Sequence, residues 1–325
     1  MRRLTPDAAG LDEAARLLAA GELVAFPTET VYGLGADAAN PEAIAKVFLA
    51  KGRPSDHPLI VHLPDEQALS AWVEQVPENA RRLIAQFWPG PLTLVLPRAA
   101  TVSDRITGGQ DTVAVRVPNH PVARALLRRF GGALVAPSAN RFGRISPTRA
   151  EHVESEFGDE VAAVIDGGAC PVGVESTIVD LSGDKPRILR PGMVRSDAIA
   201  AELEQPLCQP GDNEGPRAPG RLASHYAPEV PLEAVAADRL HQRLAELLAA
   251  GQRVVVLARF ERDRSAADTA LSWIRMPRQP VQHARALYAQ LRHADALHPD
   301  RILVEQVPAG EGWDAVRDRL ARACA

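Results

Sequence analysis

Across the first 205 residues, apolar runs alternate with amphipathic stretches. Leu11 to Ala20 places apolar residues at helical spacing and meets Gly21, which predicts a helix; the unbroken run Leu23 to Phe26 predicts a short buried strand. Asn40 followed by Pro41 marks a helix start, because asparagine accepts from the unpaired N–H groups and proline brings none of its own there. Ile44, Val47 and Phe48 then share a face, and Gly52 ends the run. Leu59 to Leu63 reads as a strand, Glu78 to Phe87 as a helix halted by Trp88-Pro89-Gly90-Pro91, and the following LTLVL as a strand. Thr112 to Val117 alternates, with Val113, Val115 and Val117 on one face and Thr112, Ala114 and Arg116 on the other. Helices over Val122 to Phe130 and after Ser146-Pro147 are expected, with strands at Ala133 to Ala136, Val161 to Ile165, Thr177 to Leu181 and Arg187 to Leu189. A mixed α/β sheet domain over residues 1–205 is the economical architecture.

Residues 206–221, PLCQPGDNEGPRAPGR, hold seven Gly or Pro in sixteen positions. Such a stretch cannot pack as a regular element and reads as a linker. Beyond it come VPLEAV, a helix from Asp238 to Ala249, RVVVLA, a helix from Val281 to Ala294, RILVEQV and a terminal helix, the alternation of a small doubly wound unit. The division is therefore 1–205, a connecting segment 206–228, and an accessory α/β domain 229–325.

With 325 residues, two domains are in keeping with the length. Lys plus Arg against Asp plus Glu counts 37 to 41, a net charge of −4, divided as 21 to 26 before residue 206 and 16 to 15 after it. Neither half is a basic nucleic-acid module, so any anion site must be local. Cys170, Cys208 and Cys324 form no CxxC pair and leave an odd thiol, which favours a reducing compartment. MRRLTPDAAGLDEAARLL lacks the apolar stretch of a signal peptide, and no later run is long enough to span a bilayer. A cytoplasmic location is expected. Only Lys46, Lys51 and Lys185 accompany 34 arginines, so a lysine in a suggestive place carries more weight than an arginine.

GxxxxGK[ST], HExxH and GxSxG signatures are absent, Gly33-Leu34-Gly35 lacks the full dinucleotide order, and the histidines show no compact ligand set. What remains is a series of short polar motifs at element ends: PTETVYG at 27–33, KGRPSDHPLIVH at 51–62, PSAN at 137–140, GVEST at 173–177 and RPG at 190–192. Ligands of open α/β folds gather where strands end. Lys51 and Arg53 form the best anion candidate, a mobile point charge beside a rigid fork, with a charged helix end as the bland alternative. Arg116 interrupts an apolar strand, and a buried guanidinium requires company: a substrate carboxylate or an internal Asp or Glu. His62, within LIVHLP, holds either a neutral hydrogen bond at a ligand or an ordinary core position. Ser138, Asn140, Ser146 and Ser176 suit phosphate, ribose or amino-acid groups, while Ser146 before Pro147 is equally a helix cap and Asn140 a turn former. Thr30 and Thr177 share that ambiguity.

Taken in order, FPTETVYGLG, KGRPSDHPLIVH, FWPGPLTLVL, TVAVRVPNHP, APSANRFGRISPT, GVESTIVD and ILRPG resemble the threonylcarbamoyl-adenylate synthase family, whose YrdC-like catalytic domain they cover over residues 13–205. HYAP at 225–228 and the α/β segment after it resemble the linker and accessory domain of the long form. The resemblance implies an ATP-dependent nucleotidyltransferase that converts L-threonine, bicarbonate or carbon dioxide, and ATP to threonylcarbamoyl-AMP and pyrophosphate. It implies Mg²⁺ accompanying ATP rather than a dedicated protein metal site. A separate tRNA threonylcarbamoyl-transfer machinery then modifies tRNA adenosine 37, so no stable tRNA or membrane binding is required.

Carried over by motif position, Thr30, His62, Arg116, Ala136 and Ser176 surround L-threonine, with Arg116 on its carboxylate. Arg53, His57, Thr112, Ser138, Asn140, Ser146, Arg190 and Tyr226 are ATP neighbours, and Lys51 with Arg53 are the catalytic cations. The resemblance also implies that Tyr226 approaches the nucleotide as the linker folds over the site. His57 stands where the family motif has Asn, and PGRLASHYAP departs from the commoner linker. Two other classes stay open: a hydrolase with Ser138 or Ser176 as nucleophile and His62 as base, and a non-catalytic RNA-binding module.

Overall fold

A computed structural model describes residues 1–208, 215–222, 225–261, 269–310 and 312–325. The chain forms two compact units, one of residues 1–142 and 146–221, the other of residues 143–145 and 222–325. Of the connecting segment expected at 206–228, positions 209–214 and 223–224 lie outside the described residues.

In the first unit the chain runs β1 (Arg2–Leu4), α1 (Ala8–Ala19), β2 (Val24–Pro27), β3 (Tyr32–Asp37), α2 (Pro41–Lys51), β4 (Ile60–His62), α3 (Glu78–Phe87), β5 (Leu92–Pro97), α4 (Asp104–Thr107), β6 (Thr112–Arg116), α5 (Pro121–Phe130), β7 (Leu134–Val135), α6 (Ala150–Phe157), β8 (Ala163–Ile165), β9 (Thr177–Asp180), β10 (Arg187–Arg190) and α7 (Ser196–Leu203). The strands form one mixed sheet of ten, in the order β1-β8-β2-β3-β7-β4-β6-β5-β9-β10. Helix α2 starts as its sequence dictates: Asn40 Oδ1 accepts from the amides of Glu42 (2.9 Å) and Ala43 (3.2 Å), and Pro41 opens the first turn. It stops at Gly52, whose φ of 59° is left-handed, and this leaves Lys51 as the last helical residue.

Side-chain alternation sorts the sheet into unequal faces. Val24, Phe26, Leu134, Ala163 and Ile165 pack beneath α1 and α5. Their neighbours Ala25, Val135 and Val164 point the other way, into a larger core with α2, α3, α6 and α7. Along the second half of the sheet, Leu92, Leu94, Leu96, Val113, Val115 and Val179 continue that larger core. The residues between them form only a small apolar cluster of Ile60, Val95, Ala114, Ile178, Leu189 and Ala218. Ala218 belongs to residues 215–221, so an irregular segment, not a helix, packs on this half-face.

Strand β3 carries Gly33 and Gly35, and glycine weakens a strand signal because it has no side chain to pack. The fold uses the gap: a Cβ on Gly35 would stand 2.7 Å from Phe26 Cε1, and one on Gly33 would stand 3.1 Å from Ala136 Cβ. Strand β1 is two arginines and a leucine, and α7 offers only Ile199 and Leu203 to the core, so neither shows a clear period.

The second unit contains β11 (Leu232–Val235), α8 (Leu240–Ala249), β12 (Val254–Ala258), β13 (Leu271–Arg275), α9 (Pro280–Ala296), β14 (Arg301–Glu305) and α10 (Asp314–Ala323). All four strands are parallel, in the order β11-β14-β12-β13. Leu240, Leu244 and Leu247 of α8 pack on Val254, Val256 and Leu303, a face separate from that of Val255, Leu257, Ile302 and Val304. This is the smaller α/β domain expected from the sequence. Strand β13 went unpredicted because LSWIR is an edge strand, half-buried to exposed along its length.

Gly192 sits where backbones nearly touch, since an added Cβ would lie 2.3 Å from Thr177 N and 2.7 Å from the Ser176 carbonyl carbon. Gly192→Ala is therefore expected to destabilise the first unit by about 1–3 kcal/mol, the usual cost of overpacking against atoms that cannot rotate away. Urea unfolding followed by a probe in residues 1–205 measures this; a midpoint equal to the parent's would show that the backbone yields.

Candidate active site

The half-face without a helix collects the polar strand residues. On β4, His62 shares the side of Ile60; on β6, Thr112 and Arg116 share that of Ala114; on β5, Thr93 shares that of Val95. The loop before β9 brings Ser176 beside Thr93, and the end of β10 brings Arg190. A sheet face buried with polar groups requires hydrogen-bond partners for each.

Arg116 is 3% exposed and Glu29 5%, and Arg116 Nη2 stands 2.5 Å from Glu29 Oε1. The internal carboxylate left open by the sequence is thus present. The Arg116 fork is further fixed by Nε donating to Gly90 O (3.1 Å) and Nη1 donating to Thr30 Oγ1 (3.0 Å). The Trp88-Pro89-Gly90-Pro91 stop is therefore also a carbonyl for Arg116. Thr30 Oγ1 is 2.8 Å from Thr28 Oγ1, and Thr28 Oγ1 donates to Val31 O at 2.7 Å, which makes PTET a tight local turn. His62 lies opposite Arg116 in the β4–β6 register. Its Nδ1 is 3.3 Å from Ile60 O, and burial, reinforced by the Arg116 charge, pushes the imidazole pKa down to about 3. The ring is neutral, and with the proton on Nδ1 its Nε2 is an acceptor.

Lys51, 2% exposed, reaches out of the end of α2, and its Nζ donates to Ser138 O (2.6 Å) and Asn140 O (2.5 Å). Burial, then the Arg53 charge, holds its pKa well below the usual lysine range. Phe142 N returns a bond to Lys51 O at 2.7 Å, so the PSAN loop is tied to the helix end from both sides. Arg53 Nη2 donates to Pro58 O (3.0 Å) while its guanidinium lies 5.6 Å from the Phe142 ring centroid. His57 meets the same ring edge-on at 5.2 Å, and partial burial together with Arg53 lowers its pKa. Phe142 thus packs against both Arg53 and His57, and its place between a basic motif and a strand-end loop appears only in the fold. Ala136 is buried at the head of this loop, and its N–H donates to Ile60 O.

Ser176 Oγ lies 2.7 Å from Thr93 Oγ1 and accepts from Arg190 Nη2 at 3.1 Å. Arg190 also donates to Ser176 O through Nε (3.1 Å) and Nη2 (2.9 Å), and through Nη1 to Pro219 O (3.0 Å). Ser146, fully buried, donates to Glu175 Oε1 at 2.5 Å. The cap position of α6 is Arg149, so Ser146 is not the helix cap that its neighbour Pro147 suggested. Gly173 N donates to Thr30 O (3.1 Å) and Val172 N to Glu29 O (2.8 Å), which ties the GVEST loop to PTET. Tyr226 belongs to the second unit, where it is buried at a φ of 64°, stacks on Tyr288 at 5.7 Å and lies under the Arg319 guanidinium at 5.2 Å. Among the described residues no three His, Cys, Asp or Glu groups gather as a metal cage. Nor do they pair Ser138 or Ser176 with His62 as a hydrolytic dyad would require.

The first unit is thus an α/β domain with buried cations and hydroxyls on one half-face of a mixed sheet. A family model for Sua5, YciO and YrdC, described as telomere recombination, matches residues 16–192, and one described as the threonylcarbamoyl-AMP synthase C-terminal domain matches residues 191–325. The chain belongs to the Sua5/YrdC family, in its two-domain form. It is 42% identical to the threonylcarbamoyl-AMP synthase of Bacillus subtilis over 96% of this chain and 92% of that one. To the corresponding Pyrococcus abyssi protein it is 39% identical over 95% and 92%. A crystal structure of P. abyssi Sua5 complexed with L-threonine superposes with a TM-score of 0.89 at 37% identity, covering 99% of this chain and 97% of that one.

The Glu29–Arg116 pair sets a stability test. Arg116→Ala alone strands a buried carboxylate and is expected to cost about 3–5 kcal/mol, whereas adding Glu29→Gln recovers a large part of that loss. Urea unfolding of the two single variants and the double measures the coupling; additive losses would show that the pair is not coupled.

His62 sets a second. Because its folded pKa lies below its unfolded value, the unfolded chain takes up the proton first, and the contribution to stability present above pH 6.5 is lost on acidification towards pH 3. Relative to His62→Gln, the parent should lose roughly 2 kcal/mol between pH 6.5 and 5. Denaturant titrations at the two pH values check it, and a constant gap would mean that the folded ring accepts a proton.

Proposed function

We propose that this protein is an L-threonylcarbamoyladenylate synthase: it joins L-threonine, carbon dioxide or bicarbonate, and ATP into threonylcarbamoyl-AMP, releasing pyrophosphate. The observation that carries this reading is the near full-length similarity to P. abyssi Sua5 complexed with L-threonine, in a chain whose Thr30, His62, Arg116 and Ser176 lie on one half-face of the sheet. In this reading the carboxylate of threonine takes the remaining N–H groups of Arg116, and Thr30 and Ser176 orient its amine and hydroxyl. Neutral His62 contributes an acceptor without adding charge.

ATP is assigned to Lys51, Arg53, His57, Thr112, Ser138, Asn140, Ser146 and Arg190. Ser146 gives its proton to Glu175, so it meets a nucleotide hydroxyl or amine as an acceptor. Lys51 and Arg53 lie at the start of the motif beside the PSAN loop, where they would stabilise negative charge growing towards the pyrophosphate. The buried donors are cationic and hydroxylic, and Glu29 and Glu175 already serve Arg116 and Ser146. Mg²⁺ therefore fits as an ion carried on the triphosphate with water ligands, where it would neutralise phosphate charge.

The threonine N-carboxylate attacks the α-phosphorus and pyrophosphate leaves. No covalent enzyme intermediate is needed; alignment of two bound reactants supplies much of the acceleration. A tRNA-directed transfer system then consumes the adenylate. Incubation with ATP, Mg²⁺, bicarbonate and L-threonine should give pyrophosphate and a mass-spectrometric threonylcarbamoyl-AMP signal, both lost when threonine is omitted. Folded, ATP-binding protein that never yields the adenylate would overturn the assignment.

A further inference from the structure

Carboxylation of an amino acid requires a free amine, yet at neutral pH threonine arrives as an ammonium. The proton must go somewhere within reach of the amino-acid site. Lys51 Nζ is engaged by two carbonyls, and a proton on the His62 ring would face the Arg116 charge. Glu175 accepts from Ser146, on the side of the site assigned to nucleotide. Glu29 is buried like the other three but differs from them in two ways: it is ion-paired with Arg116, and neither of its carboxylate oxygens accepts a hydrogen bond among the described residues.

Arg116 and Glu29 lie side by side as plus and minus, and a zwitterionic amino acid is minus and plus over a similar span. Laid antiparallel, the substrate carboxylate meets the guanidinium and the ammonium meets Glu29. We propose that Glu29 is a further catalytic residue, the carboxylate that pairs with the α-ammonium of bound threonine and removes its proton. This rests on the synthase reading above. One N–H proton passes to a Glu29 oxygen; the freed lone pair forms the N–C bond to carbon dioxide, one C=O pair moves onto oxygen, and the second nitrogen proton leaves to water. With bicarbonate, the displaced hydroxide takes that second proton and departs as water. Glu29 returns its own proton to solvent as product leaves.

The arriving carboxylate shares Arg116, so Glu29 loses part of its counter-ion just as the proton is offered. Among the described residues, His120, after β6, and Cys170, on the loop before GVEST, also face this pair. Burial lowers the first and raises the second, so both are neutral around pH 7. His62 faces it across Arg116 and is neutral too.

The test begins with the unaltered protein. At saturating ATP and with inorganic carbon kept saturating at every pH, kcat/KM for L-threonine should stay nearly flat from pH 7 to 8.5, because the ammonium form is the one that binds and reacts. A rise of about tenfold per pH unit would mean that free amine is drawn from solution, and would overturn the role. Glu29→Gln should lower turnover at pH 7 by about 10²-fold or more, with ATP affinity within about twofold, and its rate should climb steeply with pH where the parent's does not. Parent-like turnover and pH profile in Glu29→Gln would also refute the proposal. If Glu29→Gln does not fold, the parent profile decides by itself. Threonine-dependent pyrophosphate release by the parent is the control: without it the synthase reading fails, and this role falls with it.

Discussion

A positive charge taken out of water must be compensated, and in the first unit much of that compensation comes from the main chain. Lys51 binds the carbonyls of Ser138 and Asn140, Arg53 that of Pro58, Arg116 that of Gly90, and Arg190 those of Ser176 and Pro219. A carbonyl contributes a dipole but no full negative charge, so each such bond orders a loop without cancelling the cation. The same four side chains therefore fix the loops at the strand ends. Truncating any one of them would loosen a loop as well as remove a charge, which ties folding of the site to its electrostatics.

At Arg116 a carboxylate joins the carbonyl. A lone guanidinium at the centre of the half-face would attract any small anion, including free phosphate. With Glu29 2.5 Å away, the local sum is close to zero and the preference moves to a ligand that carries both signs. The cations around the PSAN loop stand outside this pair, which matches a division between an amino-acid subsite and a phosphate subsite in the proposed reaction.

Most of the architecture was legible because its signals are local. Asn40-Pro41 and Gly52 bound α2, and the alternation of Thr112 to Val117 assigned β6 and placed Arg116 on the face opposite its valines. The elements that escaped notice have their reasons in packing. Strand β3 spends two positions on glycine so that Phe26 and Ala136 can approach, β1 is an edge strand of charged residues, and α7 has only two buried anchors. In the site, residue types were readable but partnerships were not. The need of Arg116 for an acidic partner followed from its strand, yet Glu29 lies 87 positions earlier and only the fold joins them. Phe142 and Glu175 read as an ordinary aromatic and an ordinary acid until Arg53, His57 and Ser146 converge on them.

Net charge bears on how an anionic nucleotide would reach these groups. The chain carries −4 overall, and residues 1–205 are themselves more acidic than basic, so net charge supplies no attraction for a triphosphate. Attraction begins within a Debye length, about 8 Å at physiological salt, where the buried cations are felt and the surface acids are screened. Binding through such contacts depends on short-range, desolvated hydrogen bonds far more than on encounter rate, so its salt dependence is shallow compared with that of a basic nucleic-acid module. In the proposed reaction, selection would come from fit at the sheet face, through the positions of Lys51, Arg53 and Arg190, each of which donates to main-chain carbonyls.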